Sequence, residues 1–321
     1  MRRRDLLRLT AGAAIAPAAT ARADTYPARP VTILVGFPAG TASDTVSRFL
    51  AERLASRLGQ PVLVENRPGV DGGIAATAVA RARADGHTLL YSTSSAHAAN
   101  VSLYRTITYD PVTDFAPVAG ILRQPTVVLV RQDSTARSVQ ELAALSRARV
   151  GGLNYGYGNT STRVVGALLQ QRGGVQAQSV SFRGNPQSLT ELMAGRLDFA
   201  VSDAFTGAAQ AQAGTLRALA VSGDAPTPRL PGVPSLVQAG VLENAVVAWT
   251  GVFAPAAVPG AIVARLETEL QTIMAEPDGT ALLDRLVAEP FMLSGAALGQ
   301  YMRADIARWA EYVRLAGIEP Q

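Results

Sequence analysis

Short apolar runs alternate with amphipathic stretches along most of this chain, and that alternation restricts its fold more than any other feature. Val31 to Phe37 is apolar and β-branched and predicts a buried strand. Ser43 to Leu58 then carries Val46, Phe49, Leu50, Leu54 and Leu58 at helical spacing, with Gly59 placed to end the helix. A strand over Pro61 to Glu65, a turn at Asn66 to Gly69, a helix over Ile74 to Arg83 and a strand over Thr88 to Ser92 follow. The order β-α-β-α-β predicts an α/β fold, with a mostly parallel sheet flanked by helices.

A second run repeats the first. Strands are expected at Thr126 to Arg131, ending at Asn154-Tyr155, at Val180 to Phe182, Phe199 to Ser202 and Arg217 to Ser222. Helices are expected at Val139 to Arg147, Thr160 to Arg172 and Pro186 to Ala194. The C-terminal part adds a strand near Trp249 to Phe253 and helices over Ala261 to Ala275, Thr280 to Val287 and Ala296 to Ala316. Two such units joined by short connections suggest two lobes around a cleft. Lobe 1 is expected over 24–125 and 247–321, and lobe 2 over 126–246.

Residues 1–23 read as a cleavable export signal. Arg2, Arg3 and Arg4 precede an uncharged apolar or small stretch from Leu9 to Ala21, and Ala21-Arg22-Ala23 fits a small-x-small cleavage site. That stretch is shorter than the roughly 20 residues a membrane span requires. Arg3-Arg4-Asp5-Leu6-Leu7 also resembles a twin-arginine signal. The expected location is the periplasm, as a soluble protein. The segment holds five of the 29 basic residues and one of the 25 acidic ones, so its removal leaves 24 of each. The pI of about 9.7 therefore belongs to the signal and gives no reason to expect nucleic acid as a partner.

Absent residue types narrow the chemistry. The chain has no Cys and no Lys, which excludes disulfides, thiolate metal sites, a lipid-anchoring Cys, P-loops and Schiff-base catalysis. His87 and His97 are the whole imidazole supply, and neither a G-x-S-x-G elbow nor an H-E-x-x-H helix is present. No cofactor, metal or catalytic set is expected.

Ligands of open α/β sheets bind beyond the carboxyl ends of the strands, and three segments fall there. Phe37-Pro38-Ala39-Gly40-Thr41-Ala42-Ser43-Asp44 joins the first strand to the first helix. Gly40 admits close approach, Thr41 and Ser43 offer hydroxyls, and the free N–H groups of the helical turn favour a carboxylate. Ser43 or Asp44 as a plain helix cap is the competing reading. Ser92-Thr93-Ser94-Ser95-Ala96-His97 follows the third strand as a loop of hydroxyl donors, with His97 either a further donor or a packing residue. Asn159, Thr160, Ser161 and Thr162 follow Gly156-Tyr157-Gly158 at a helix N-terminus of the second lobe, where they bind a ligand or simply cap. Asp203 accepts from a ligand or caps the next helix. Trp249 walls the cleft or packs at a hinge.

At these segments the chain resembles the Bug receptors, the solute-binding proteins of tripartite tricarboxylate transporters. The resemblance covers nearly all of the chain after the signal. It runs through Tyr26-Pro27-Ala28-Arg29-Pro30, Phe37-Pro38-Ala39-Gly40 with Asp44, and Leu58-Gly59-Gln60-Pro61-Val62. It continues through Val64-Glu65-Asn66-Arg67-Pro68-Gly69, Asp85-Gly86, Tyr109-Asp110-Pro111, Leu230-Pro231-Gly232-Val233-Pro234, and Trp249 with Gly251 and Ala254-Pro255. It implies a two-lobed Venus-flytrap fold of periplasmic binding-protein type. It also implies capture of a small carboxylate, often through two ordered waters, and its delivery to a membrane permease without catalysis; the chain is expected to be a monomer. It carries first-loop contacts onto Phe37, Ala39 and Gly40, the serine-rich loop onto Ser92, Thr93, Ser94 and Ser95, the second-lobe loop onto Asn159 to Thr162, and the acidic position onto Asp203. Thr41 and Asp71 stand where the family usually has Gly, and Arg163 where many members have His. Asp71 is expected to point away from an anion site.

Two other functions fit the same residues: an exported hydrolase or isomerase using Asp203 with His97 or Asp44, and a ligand sensor docking on a membrane kinase.

Overall fold

In the computed structural model, which describes residues 26–321, strand β1 (Val31–Val35) pairs in parallel with both β2 (Val62–Asn66) and β3 (Thr88–Thr93). The β1 run is almost wholly buried, as expected of an interior parallel strand covered on both faces. Helix α1 (Ala42–Leu58) follows it and ends at Gly59, whose φ of 68° is the left-handed conformation that glycine reaches without penalty. Helix α2 (Gly73–Ala80) connects β2 to β3, and a π-helical turn (Ser95–Ala99) with α3 (Asn100–Leu103) follows β3. The expected export signal lies outside the described residues.

Strand β4 runs over Phe115–Arg131, far longer than the expected Thr126 to Arg131. Pro117, Gly120 and Pro125 disfavour a regular strand over its first part. The register shifts between Pro117 and Ala119 and between Gly120 and Leu122, and such bulges let a strand absorb proline and glycine. After it come α4 (Val139–Ala148), β5 (Leu153–Tyr157), α5 (Thr160–Gln171), β6 (Ala177–Ser181), α6 (Asn185–Met193) and β7 (Phe199–Asp203). Helix α7 (Ala204–Gln212), which periodicity does not single out, is started by the Asp203 cap. Strands β8 (Leu216–Val221) and β9 (Val247–Pro255), helices α8 (Gly260–Ala275) and α9 (Pro277–Arg285), the short β10 (Glu289–Pro290) and α10 (Gly295–Leu315) complete the chain.

The strand order is β2-β1-β3-β9-β4-β7-β5-β6, with β8 and β10 also on β4. Each wing is parallel, whereas every pairing made by β4 and β9 is antiparallel. Strand β4 joins the wings. It pairs with β9 as far as Pro125 and with β7 from Thr126 onward. The two-lobed α/β architecture follows from this exchange of partners along one strand. Leu50 and Leu54 of α1 pack with Leu266 of α8 over the first wing, and Leu189 and Leu192 of α6 pack with Val127 over the second. A third core draws residues from both wings, including Phe253 and Tyr155, and is closed by Trp309 of α10. Each such large side chain contributes about 1.5–3 kcal/mol by leaving water.

Candidate functional site

The cleft between the wings is reached by the start of four helices. The first is the β1–α1 loop. Thr41, not Ser43 or Asp44, is the N-cap of α1: its hydroxyl accepts from the Asp44 N–H at 3.4 Å and donates to the Pro38 carbonyl at 2.8 Å. Asp44 holds the loop from behind. Its carboxylate accepts from the Gly40 N–H at 3.0 Å, Asn66 Nδ2 at 2.9 Å and Arg48 Nε at 3.1 Å. Burial opposes its ionisation, but the donors from Arg48, Gly40 and Asn66 outweigh that and hold its pKa below the ordinary value. Phe37, Thr41 and Ser43 line the cavity, while Ala39 and Gly40 are exposed outside it.

The serine-rich segment departs from the expected loop. Ser92 and Thr93 end β3, and Ser95 begins the π-helical turn. Thr93 and Ser95 face the cavity, whereas Ser92, Ser94 and His97 are buried behind it. His97 is a packing residue. Its ring stacks on Phe253 with centroids 3.9 Å apart, and Nδ1 lies 2.7 Å from Ser92 Oγ. Burial pushes its pKa down to about 3, so it is neutral across the physiological range.

In the second wing the α5 N-terminus carries a capping box. Asn159 Oδ1 accepts from the Thr162 N–H at 3.0 Å, and Thr162 Oγ1 accepts from the Asn159 N–H at 3.1 Å. The hydroxyl of Thr162 is thereby committed to the cap. Asn159 and Ser161 line the cavity, and Thr160 turns away from it. Asp203 is the N-cap of α7, accepting from the Thr206 N–H at 2.8 Å and the Thr206 hydroxyl at 2.9 Å. It also accepts from Asn185 Nδ2 at 2.6 Å. Asp203 still borders the cavity, with its charge already met by these three donors.

Sequence reasoning missed two contributors. Asn185 at the α6 N-terminus borders the cavity, and its Oδ1, held in place by the Asp203 contact, has no partner among the described residues. Gln124 of β4 is buried at the cavity wall with Oε1 likewise unpartnered. Buried polar atoms normally find partners, and both of these are acceptors, open to a donor rather than to a carboxylate oxygen. The Gly184-Asn185-Pro186 triplet, with Pro in the first helical turn, is the local signal that points to Asn185. Trp249 and Thr250 of β9 form the back wall.

Among the described residues no Arg or Lys lines this cavity; what it offers an anion are N–H groups at helix N-termini and hydroxyls, beside the Asp203 carboxylate. No group of three potential metal-ligating side chains occurs among the described residues. Asp203, His97 and Asp44 are each committed to separate structural partners, so the hydrolase or isomerase reading finds no acid–base pair here. Among the described residues no helix is long and apolar enough to cross a membrane.

Comparison with known proteins agrees with this fold. A protein from R. palustris solved with adipate is 34% identical, with a TM-score of 0.88 over 92% of this chain and 100% of its own. A second protein, MatC from Rhodopseudomonas palustris, solved with bound malate, is 30% identical, with a TM-score of 0.83 over 90% and 100%. Protein BugT of Bordetella pertussis is 31% identical over 94% of this chain and 93% of its own length. These relatives belong to a class of solute-binding receptors rather than enzymes. Residues 46–318 match the tripartite tricarboxylate transporter family receptor, and the chain belongs to that family.

Proposed function

We propose that this chain captures a small carboxylate between its lobes, in the periplasm, and delivers it to the membrane component of a tripartite tricarboxylate-type transporter. The observation that carries the reading is the meeting of the α1, α5 and α6 N-termini on one cavity that, among the described residues, has no cationic side chain in its wall. N–H groups of first helical turns are unsatisfied within their helices and lie at the positive end of the dipole, which suits a carboxylate. Lobe 1 (24–125 and 247–321) supplies Phe37, Thr41, Ser43, Thr93 and Ser95, and lobe 2 (126–246) supplies Asn159, Ser161 and Asn185. A ligand touching both sets favours the closed arrangement over an open one. Adipate and malate in the related structures are small carboxylates of the kind proposed.

The test is thermal unfolding of the purified chain with a panel of mono- and dicarboxylates. Binding at 100 times Kd adds about 2.7 kcal/mol of stability. A panel without any shift at millimolar concentration overturns the reading. Delivery is tested by uptake of the labelled ligand in cells lacking the chain, where unchanged uptake counts against it.

A further inference from the structure

A second chamber opens beyond the cleft, past Phe37 and Gly158, which line both spaces. Asp71 lies in its wall. Asp71 is absent from the wall of the first cavity and borders this outer chamber alone. It accepts from the Tyr104 hydroxyl at 3.1 Å and faces Thr160, the first residue of α5, across the gap between the lobes. Thr160 is fully buried, and its hydroxyl completes no well-formed hydrogen bond among the described residues although it is directed at this carboxylate. Arg163, one turn further along α5, adds its field. With the Gln321 amide turned so that its oxygen faces the guanidinium, Arg163 donates to it at 2.9 and 3.0 Å, which keeps the arginine beside Asp71 and out of the cleft. The backbone is bent to present Asp71: Val70 and Asp71 both have positive φ, 51° and 47°, and Asn100 Nδ2 holds the Val70 carbonyl at 3.0 Å. Burial raises the Asp71 pKa, while Thr160, Tyr104 and Arg163 oppose that rise.

We infer that Asp71 is a specificity-determining residue that supplies, from lobe 1, the anion called for by the α5 N-terminus and Arg163, so that this receptor selects monocarboxylates over dicarboxylates. The inference rests on the carboxylate reading above. A ligand whose first carboxylate sits at the α1 N-terminus extends toward Phe37 and Gly158 and then meets Asp71. A second carboxylate there faces a like charge at short range, which disfavours ionisation of both groups together. An uncharged far end meets no such penalty. Arg183 also borders the outer chamber, but it is exposed at the rim and well solvated.

The experiment measures affinities of the full chain for shape-matched pairs: butanoate and succinate, hexanoate and adipate, benzoate and terephthalate. Wild type, Asp71→Asn and Asp71→Gly are compared by calorimetry, the glycine variant being at ease with positive φ. In the pair that fits the cleft, wild type is expected to favour the monoacid by about tenfold or more, and both variants to lose most of that preference by gaining diacid affinity. Wild type preferring the diacid, or variants that leave the ratio unchanged, overturns the inference and leaves the carboxylate reading intact. Absence of binding by every compound to all three proteins overturns both.

Discussion

The indole N–H of Trp249 donates to Asp305 Oδ2 at 2.6 Å, tying the back wall of the cleft to helix α10. Trp309 donates to the same oxygen at 2.9 Å, and Arg308 to Oδ1 at 2.8 Å. The chain has two tryptophans, so both of its indoles converge on one buried carboxylate. Asp305→Ala strands both indole donors in the core and is expected to cost about 3 kcal/mol by chemical unfolding. A companion variant, Trp309→Phe, leaves Trp249 as the single indole. Its emission is expected to shift on ligand addition, because Trp249 borders the cavity. An unchanged unfolding midpoint in Asp305→Ala contradicts the structural role assigned here.

His97 predicts a specific pH response. Its folded pKa is pushed down to about 3 from an ordinary 6.5 by burial. A depressed histidine contributes stability that is present above 6.5 and is lost as pH falls toward 3, because the unfolded chain takes up a proton that the folded chain refuses. Between pH 7 and pH 5 this amounts to about 2 kcal/mol. His97→Phe keeps an aromatic ring against Phe253 and removes the titration, so its stability is expected to fall less over that interval. Urea unfolding at the two pH values decides it, and parallel losses in wild type and variant refute the assignment.

His97 also shows where sequence reading stops. A lone histidine after a run of hydroxyl residues has the appearance of a solvent-facing loop, and only the π-helical turn and the packing of Phe253 and Phe115 bury it. The strand–helix alternation was legible because burial of one helix face imposes its period on the local sequence. The N-termini of α1 and α5 were legible for the same reason, since capping chemistry is local. Asn185 was legible as no more than a helix start and Gln124 not at all, because their place at the cleft depends on how two wings meet along β4. Thr160 was legible as a helix start, but its approach to Asp71, from the other wing, has no local trace.

Gly158 lies where α5 and α6 converge. A Cβ at this position would fall on the Asn185 backbone nitrogen and come within 2.6 Å of Asn185 Oδ1. Neither neighbour can yield without moving the start of α6. Gly158→Ala is therefore expected to destabilise the fold by about 1–3 kcal/mol, in the range of other overpacked sites. Because the displaced group borders the cavity, carboxylate affinity is expected to fall as well. Retention of both stability and affinity rejects this account of the α5–α6 junction.

Closure itself is testable at Gly184, the N-cap of α6. Its φ of −176° is extended backbone that any residue adopts, so a substitution acts through space alone. A Cβ there meets Thr41 Cγ2 at 3.5 Å and Pro38 Cδ at 4.0 Å, both on the opposite lobe. Those are ordinary van der Waals separations, and Gly184→Ala is expected to bind like wild type. A leucine extends beyond that point into the space held by Thr41 and Pro38. Gly184→Leu is expected to fold normally, to hold the lobes apart and to lose affinity by about tenfold or more, since the ligand then contacts one lobe at a time. Small-angle scattering should show a radius of gyration that no longer contracts on ligand addition. Wild-type affinity and contraction in the leucine variant reject lobe closure across this contact as the means by which the receptor holds its ligand.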